Sequence, residues 1–335
     1  MSSPLFQRIA DPNRCFIIAE IGSNHDGDFD TALRLMDIAR EADADAVKFQ
    51  SFLADHLVTR DNPDYALLKR LEVPRAWYPR LKREAEDRGL VFFSTATNDI
   101  TLGWMEEIGV TLYKIGSPNL THLPLIAMTA GFGKPVIVST GMAGLKEIGE
   151  AVEMFTATGN TELALLHCVS VYPAEPSLLN LRAIETLAKA YPYPIGFSDH
   201  SLDIGTAVAA VALGARVIEK HVTLDRARPG PDHHYALEPE PFVAMGRNIR
   251  IVEQALGDGR KIVPAREAEN SGRYWRSLHA AHDLSAGAIL SRDAIAIVRP
   301  NDGLHSRNID AVVGLRLTRP VAAGAPITWD CLKAR

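Results

Sequence analysis

The chain has 335 residues, of which 47% are hydrophobic and 23% are charged, and its formal net charge is −5. This composition is typical of a globular protein, and the negative balance argues against a nucleic-acid partner, because such binders need a basic surface. Since no apolar run reaches the roughly 20 residues of a membrane span and no export signal is visible, we expect a cytoplasmic protein without a membrane partner.

Short apolar runs alternate with amphipathic stretches along the first part of the chain. The runs are Phe16–Gly22, Ala46–Gln50, Val91–Thr95, Thr111–Gly116, Pro135–Thr140, Leu163–Cys168, Tyr193–Asp199 and Ala215–His221. Their continuous hydrophobicity is typical of parallel strands that are buried on both faces. The stretches between them, such as Thr31–Glu41 and Ala76–Arg88, carry apolar residues at helical spacing. Eight strand–helix repeats in roughly 240 residues predict an α/β fold of the (β/α)8 TIM-barrel type.

A doubly wound parallel sheet is the alternative fold. It predicts fewer strands and often a glycine-rich phosphate-binding turn after the first one. No GxGxxG motif follows Phe16–Gly22, and GxxxxGK[ST] is absent from the sequence. The barrel is therefore the favoured prediction.

The chain departs from the barrel repeat in two places. The connection Ser51–Pro74 is long and weakly periodic, and such loops in compact domains are often lids. After Leu256 the sequence turns polar and then breaks into short apolar pieces separated by Gly and Pro. We therefore predict a catalytic barrel over residues 1–257, a linker over 258–276 and a small β-rich domain over 277–335.

Polar residues end the predicted strands, and they are the candidate site because active sites of TIM barrels lie at the carboxyl ends of the strands. Lys48 and Lys114 are among them, and a buried ammonium group needs a partner, which is either an anionic substrate or a carboxylate of the barrel. The serine hydroxyls of the set favour a phosphate or carboxylate ligand. The strand-end residues and those just beyond them are Glu20, Lys48, Gln50, Ser94, Thr95, Lys114, Ser117, Ser139, Thr140, His167, Ser170, Tyr172, Ser198, Asp199, His200, Glu219, Lys220, His221 and Asp232.

Two histidines, His200 and His221, end neighbouring predicted strands. Imidazoles together with a carboxylate suit a divalent transition metal that keeps open positions, so we predict a metal site here. His25 either joins this site or closes its own loop. At most one of the adjacent His233 and His234 faces the site, and whether His233 joins it stays open. Glu20 either orients a lysine or acts as a general acid–base group.

Eight stretches, in order along nearly the whole chain, carry a further signal. They are AEIGSNHDGD from Ala19, AVKFQ from Ala46, YKIGS from Tyr113, GKPVIVSTGM from Gly133, LLHCVSVYP from Leu165, IGFSDHSLD from Ile195, IEKHVTLDRARPGPDH from Ile218 and SLHAAHDLSAG from Ser277 with a later VRP. With these motifs the chain resembles the N-acetylneuraminate (sialic acid) synthase family, including legionaminate, pseudaminate and spore-coat polysaccharide relatives.

The resemblance implies a TIM barrel followed by an antifreeze-like (SAF) domain. It implies a transferase that condenses phosphoenolpyruvate with an open-chain 2-acylaminosugar, such as N-acetylmannosamine, to a nine-carbon 2-keto-3-deoxy acid and phosphate. The implied cofactor is Mn²⁺ or Mg²⁺ on His200 and His221, and the implied assembly is a domain-swapped homodimer in which Arg299 of the partner subunit lies over the sugar. The resemblance also assigns Glu20, Lys48 and Lys114 to catalysis, and Gln50, Thr95, Ser117, Asn119, Ser139, Ser170, Tyr172, Ser198 and Asp232 to substrate binding.

The sequence departs from the family pattern at three points. Pro118 and Asn119 stand where the family usually has a small residue and an acidic one, Ser170 stands where Asn is common, and Asn301 begins a changed stretch after VRP. Because Asn119 carries no charge, a contact to the sugar is altered. We therefore expect the same chemistry with an acceptor other than N-acetylmannosamine.

Two other functions remain open. The first is a pyruvate aldolase or lyase of the same fold, in which Lys48 or Lys114 forms a Schiff base. The second is a non-catalytic sugar-binding protein that uses the C-terminal domain. A binder has no need of Glu20 together with two lysines and two histidines, so the synthase is favoured.

Overall fold

The computed structural model describes residues 2–333, and the chain divides into two compact units between Gly257 and Asp258. The first unit is a closed barrel of eight parallel strands in sequential order, so the predicted TIM barrel is confirmed. Its strands are β1 (Phe16–Gly22), β2 (Ala46–Ser51), β3 (Val91–Ala96), β4 (Tyr113–Ile115), β5 (Val136–Ser139), β6 (Leu163–Cys168), β7 (Ile195–Asp199) and β8 (Val217–His221).

Helices surround this barrel and one more precedes it. They are α1 (Pro4–Ile9), α2 (Phe29–Glu41), α3 (Ala54–Leu57), α4 (Tyr65–Leu71), α5 (Tyr78–Asp87), α6 (Asp99–Glu107), α7 (Leu123–Gly131), α8 (Leu145–Thr156), α9 (Ala183–Ala190), α10 (Gly205–Ala212) and α11 (Pro239–Leu256), with short 3-10 turns at Arg75–Trp77, Ser117–Asn119, Pro176–Leu178 and His233–Tyr235. Two of them, α3 and α4, lie in the connection that the sequence predicted to be a weakly structured lid.

The barrel has two apolar layers. One fills the inside of the barrel with side chains such as Phe16, Ile18 and Phe93, and the other lies between strands and helices. Because side chains alternate along a strand, Glu20 continues the inward-facing row of Phe16 and Ile18. The apolar floor therefore gives way to charged groups toward the carboxyl ends of the strands.

The second unit is small and rich in β-structure, as predicted. Antiparallel strands β9 (Ser277–Ala280) and β10 (Ile295–Val298) form one pair, and β11 (Arg316–Leu317) and β12 (Leu332–Lys333) form another. Its helices are α12 (Ala265–Tyr274) and α13 (Ile309–Val312), with 3-10 turns at Ser306–Asn308 and Trp329–Cys331. Helix α12 occupies much of the segment that we predicted as a linker.

No helix in residues 2–333 combines the length and the apolar character that crossing a membrane requires.

Candidate active site

A cavity of about 420 Å³ opens among the carboxyl ends of the barrel strands. Most of the residues singled out in the sequence lie around it. The predicted site residues that line it are Glu20, Lys48, Gln50, Thr95, Lys114, Ser117, Asn119, Ser139, Tyr172, Ser198, His200, His221 and Asp232. Ser170 and Arg299 are not among the lining residues.

Strand register brings the charged residues to one level. Glu20 of β1 is paired with Lys48 of β2 on one side and with His221 of β8 on the other. Ser198 of β7 is paired with Glu219 of β8. Parallel strands without long shifts in register therefore gather these side chains at the floor of the cavity.

Lys48 and Glu20 form a buried ion pair, with Nζ 2.8 Å from Oε2 of Glu20. Lys48 also donates to Oγ1 of Thr95, and Nε2 of Gln50 donates to Oε1 of Glu20. Each carboxylate oxygen of Glu20 thus faces a different neighbour, which fixes the plane of the carboxyl group.

Lys114 has its own carboxylate partner. Its Nζ donates to Oγ of Ser139 at 2.8 Å and lies 3.4 Å from Oε1 of Glu219. Ser198 donates to the same Oε1 at 3.1 Å. In this structure both lysines are paired with carboxylates of the barrel, which was one of the two alternatives left open by the sequence.

The two carboxyl groups have opposite protonation tendencies. Burial raises the pKa of Glu20 although Lys48 is adjacent. Burial also works against the charge of Glu219, but Lys114 and Lys48 outweigh it and lower its pKa to about 2. Glu20 is therefore the carboxyl group that can carry a proton, while Glu219 stays ionised, and such a separation is typical of acid–base pairs.

His200 and His221 lie close together, with ring centroids 5.6 Å apart. Nδ1 of His200 is 3.0 Å from the carbonyl oxygen of Val169, so this nitrogen donates and leaves a lone pair on Nε2. Nδ1 of His221 is buried without a hydrogen-bond partner, and burial lowers the pKa of the ring to about 4. Two adjacent imidazoles that each leave a ring nitrogen without a hydrogen-bond partner fit a divalent transition cation.

Within residues 2–333 no group of three His, Cys, Asp or Glu side chains is arranged as a metal centre. The nearest carboxylate to the His221 ring is Asp232, whose Oδ2 lies 4.0 Å from Nδ1. A cation here would therefore take further ligands from substrate or water.

A buried ion pair outside the cavity holds the ends of the two histidine-bearing strands. Nζ of Lys220 lies 2.8 Å from Oδ2 of Asp199 and donates to the carbonyl oxygen of Asp203. Because Lys220 and Asp199 are next to His221 and His200 in the chain, this pair fixes the backbone from which both imidazoles project.

Asp232 is fixed at the mouth of the cavity by two hydroxyl groups. Ser23 donates to its Oδ2 at 3.0 Å and Tyr235 donates to its Oδ1 at 2.7 Å. Gly22 lies beneath it with a left-handed φ of 54°, and a Cβ at this position would be 3.1 Å from Oδ2. A glycine is needed here for both conformation and space.

The open questions about the other histidines have a geometric answer. His25 closes its own loop, because its Nδ1 accepts from the amide of Gly27. His233 lies between Oγ1 of Thr223 at 2.6 Å and Oδ1 of Asp26 at 2.8 Å. Neither lines the cavity, and His233 instead ties the loop after β8 to the loop after β1.

Two predicted site residues are not among those that line the cavity. The hydroxyl of Ser170 is buried, 2.4 Å from where a Cβ on Gly141 would be. Arg299 is an exposed residue of the second unit, with its guanidinium carbon 5.5 Å from the ring centroid of Tyr274.

The sequence analysis did not assign roles to several residues that line the cavity. Glu219 is the most important, and its alternation with His221 along β8 was the available signal. An apolar wall formed by Phe52, Leu57 and Leu68 was also missed. These residues lie in the connection after β2, where the helices are too short to show a recognisable helical period in the sequence.

The fold and cavity define a class of protein: a (β/α)8 barrel with buried acid–base and imidazole groups at its carboxyl end, followed by a small β-rich domain. The chain belongs to the NeuB family, whose profile matches residues 35–261. The SAF domain profile matches residues 276–333. The resemblance drawn from the motifs is therefore confirmed.

Relatives cover nearly the whole chain. It is 37% identical to N,N'-diacetyllegionaminic acid synthase of Legionella pneumophila over 96% of this chain and 95% of the relative. It is 35% identical to human N-acetylneuraminate-9-phosphate synthase over 90% of this chain and 88% of the relative. The structure of N-acetylneuraminic acid synthetase from Leptospira borgpetersenii, in complex with citrate, is 37% identical, with a TM-score of 0.74 over 77% of this chain and 90% of that one.

Proposed function

We propose that the protein condenses phosphoenolpyruvate with an open-chain 2-acylaminosugar to a nine-carbon 2-keto-3-deoxy acid and inorganic phosphate. The observation that carries the proposal is the convergence of Glu20, Lys48 and Lys114 with two imidazoles in one cavity. The names of the relatives, which are sialic, legionaminic and pseudaminic acid synthases, support this reaction class.

In the proposed reaction carbon 3 of phosphoenolpyruvate bonds to the aldehyde carbon of the sugar, and the aldehyde oxygen takes a proton. Water adds to carbon 2, and the bond between carbon 2 and the phosphate oxygen breaks to release phosphate. Lys48 and Lys114 offset the charges of the phosphoryl and carboxylate groups and hold them in register. The hydroxyls of Ser117, Ser139 and Ser198 provide further donors on the same side of the cavity.

Glu20 is proposed to move the proton. Its pKa is raised by burial, so in its protonated form it can give a proton to the aldehyde oxygen and then take one from the water that adds. The second proton of that water leaves with the phosphate. In its ionised form it also favours positive charge developing at carbon 2. Gln50 and Lys48 hold its two oxygens in place.

His200 and His221 are proposed to hold a divalent cation, Mn²⁺ or Mg²⁺. When bound, it supplies Lewis-acid polarisation of the sugar aldehyde. The carbonyl oxygen of Val169 orients the His200 ring, and the Lys220–Asp199 pair keeps the backbone of both histidines in place.

The acceptor is proposed to differ from N-acetylmannosamine. Asn119 and Pro118 line the cavity without charge, and the apolar wall of Phe52, Leu57 and Leu68 faces the same space. We further propose a domain-swapped homodimer in which Arg299 of the partner subunit contacts this sugar.

The test is a panel of 2-acylaminosugars incubated with phosphoenolpyruvate and Mn²⁺, with phosphate release as the assay and mass spectrometry of the keto acid. We expect release that depends on the acceptor, with ¹⁸O from water found in the keto acid rather than in phosphate. Trapping of pyruvate on a lysine by borohydride, with chelator-resistant activity, would establish the Schiff-base enzyme instead. Sugar binding without release for any acceptor would establish the non-catalytic protein.

A further inference from the structure

A buried histidine lies in the second unit, beneath the turn that carries Arg299. His279 of β9 is 2% exposed, and the neighbouring Ser277 is fully buried. The turn follows β10 and runs back over β9, where Val298 is paired with Ser277. A buried, ionisable side chain in so small a core needs partners for every polar atom.

Every ring nitrogen of His279 faces an acceptor. Nδ1 lies 2.9 Å from the carbonyl oxygen of Gly324. Nε2 lies 3.2 Å from the carbonyl oxygen of Pro300 and 3.2 Å from Oδ1 of Asp302. Its closest neighbour, at 2.9 Å, is Oγ of Ser277.

The hydroxyl of Ser277 has a second acceptor besides the His279 ring. It donates to the carbonyl oxygen of Pro300 at 2.7 Å and accepts from the amide of Gly303 at 3.0 Å. With that proton directed to Pro300, Nε2 must carry its own proton to bond Ser277, Pro300 or Asp302. A neutral ring would place a lone pair either on Nδ1 against the carbonyl oxygen of Gly324 or on Nε2 against the oxygens of Pro300 and Asp302.

The turn itself leaves little room for movement. A Cβ on Gly303 would be 2.5 Å from the carbonyl oxygen of Leu278, so this residue approaches β9 as closely as a glycine can. The amide of Asn301 donates to the carbonyl oxygen of Gly272 in α12. At the other end, Arg299 lies over the ring of Tyr274 from the same helix. The bonds from His279 and Ser277 to Pro300 complete the set of contacts that hold this turn.

We propose that His279 is an imidazolium that positions Arg299: it ties the Pro300 carbonyl and the Asp302 carboxylate to β9 and so sets the direction of the guanidinium group. The part that concerns the sugar rests on the function proposed above, while the protonation of His279 and the anchoring of the turn do not. His279 contacts no reacting group and acts only through the turn.

Three measurements on the full-length protein test this proposal. The first is a long-range ¹H–¹⁵N spectrum of histidine-labelled protein near neutral pH, in which the His279 signals are identified by their loss in His279→Gln. We expect both ring nitrogens to be protonated. A ring with one bare nitrogen would overturn the imidazolium.

The second measurement is hydrogen–deuterium exchange of the peptide that spans Asn301–Leu304. In His279→Gln the Gly303 amide is expected to exchange about tenfold faster, because the hydroxyl that accepts it loses its partner. The matched control is His282→Gln, an exposed histidine on the same unit. Equal exchange in the two variants would overturn the anchoring role whether or not the proposed reaction occurs.

The third measurement is steady-state kinetics with the acceptor that the panel identifies. His279→Gln is expected to raise the KM for the sugar about fivefold while the KM for phosphoenolpyruvate and kcat stay within about twofold. A parallel loss for both substrates would overturn the positioning role. If His279→Gln unfolds, Asp302→Asn replaces it in the last two assays with the same direction expected, since Asp302 is half exposed and its change leaves the core intact.

Discussion

Nζ of Lys48 lies between two carboxylates, 2.8 Å from Oε2 of Glu20 and 3.8 Å from Oε1 of Glu219. With Lys114 beside Glu219, the floor of the cavity holds two ammonium groups and two carboxyl groups, each at most 5% exposed. A trianionic ligand would therefore favour protonation of Glu20, whose pKa burial already raises. Binding of the anion is then coupled to uptake of a proton by Glu20.

The first prediction concerns Glu20→Gln. The amide keeps the shape and the contact to Gln50 but carries no transferable proton, so kcat is expected to fall by a factor of about 10² to 10⁴. The KM for phosphoenolpyruvate is expected to stay or decrease, because one negative charge is removed from beside Lys48. Phosphate release measures both constants. The control is Glu153→Gln on the exposed face of α8, and a kcat for Glu20→Gln within about twofold of the control would contradict the role.

The second prediction concerns the proposed cation. Dialysis against a chelator is expected to abolish turnover, and Mn²⁺ is expected to restore it. His221→Ala removes a buried imidazole with a free lone pair, so Mn²⁺ binding measured by paramagnetic resonance is expected to weaken about 100-fold or more. His56→Ala, which removes an exposed histidine, should bind Mn²⁺ as the unmodified protein does. Unchanged affinity in His221→Ala would rule out this pair as the site.

The third prediction concerns the acceptor. Asn119 lines the cavity, and the family resemblance implies an acidic residue at this position, so Asn119→Asp introduces a charged acceptor of hydrogen bonds. We expect kcat/KM for N-acetylmannosamine to rise about tenfold relative to the preferred acceptor, since one charged hydrogen bond contributes roughly 1.5–3 kcal/mol. Competition between the two sugars, read by mass spectrometry, measures the ratio. A ratio that does not change would remove Asn119 from the specificity determinants.

The barrel and most of its site were predictable because they depend on local patterns. Continuous apolar runs identify buried parallel strands, and the residues that end them must converge at the carboxyl end of a closed barrel. This reasoning placed Glu20, Lys48 and His221 in one cavity, where the structure also has them.

The missing parts depend on information that is not local. Alternation along β8 puts Glu219 on the same face as His221, but only the folded barrel shows that Glu219 pairs with Lys114 and that Lys220 pairs with Asp199. Helices α3 and α4 are too short for a recognisable period, and α12 is too polar to be distinguished from a linker. The contacts of His279 join residues that are distant in the chain, so no local sequence pattern predicts them.

The fourth prediction compares two helical glycines. A Cβ on Gly246 of α11 would lie 1.9 Å from the carbonyl oxygen of Ala42 at the end of α2, while a Cβ on Gly103 of α6 would meet nothing within 4 Å. Gly246→Ala is therefore expected to destabilise the protein by about 3 kcal/mol or more, because the helices must separate. Gly103→Ala is expected to stabilise it by about 0.5–1 kcal/mol through helix propensity. Urea denaturation measures both, and equal effects would contradict this packing.

The fifth prediction concerns the stability of the barrel in acid. His25 is buried against Phe49 and Trp77, and burial lowers its pKa from the ordinary 6.5 to about 4. Between these two pKa values the unfolded chain binds a proton at His25 and the folded chain does not. The contribution of His25 to the free energy of unfolding is therefore complete above the pKa of the unfolded chain, and it is lost as the pH falls toward the pKa of the folded chain.

This difference corresponds to about 2 kcal/mol of stability lost between about pH 7.5 and about pH 5. His25→Asn keeps an acceptor for the amide of Gly27 but has no titrating ring, so its stability is expected to fall by about 2 kcal/mol less over the same interval. Urea denaturation followed by tryptophan fluorescence at the two pH values measures the change for each protein. His56→Asn serves as the control because this histidine is exposed. If the loss in His25→Asn equalled that in His56→Asn, another group would have to account for the acid sensitivity.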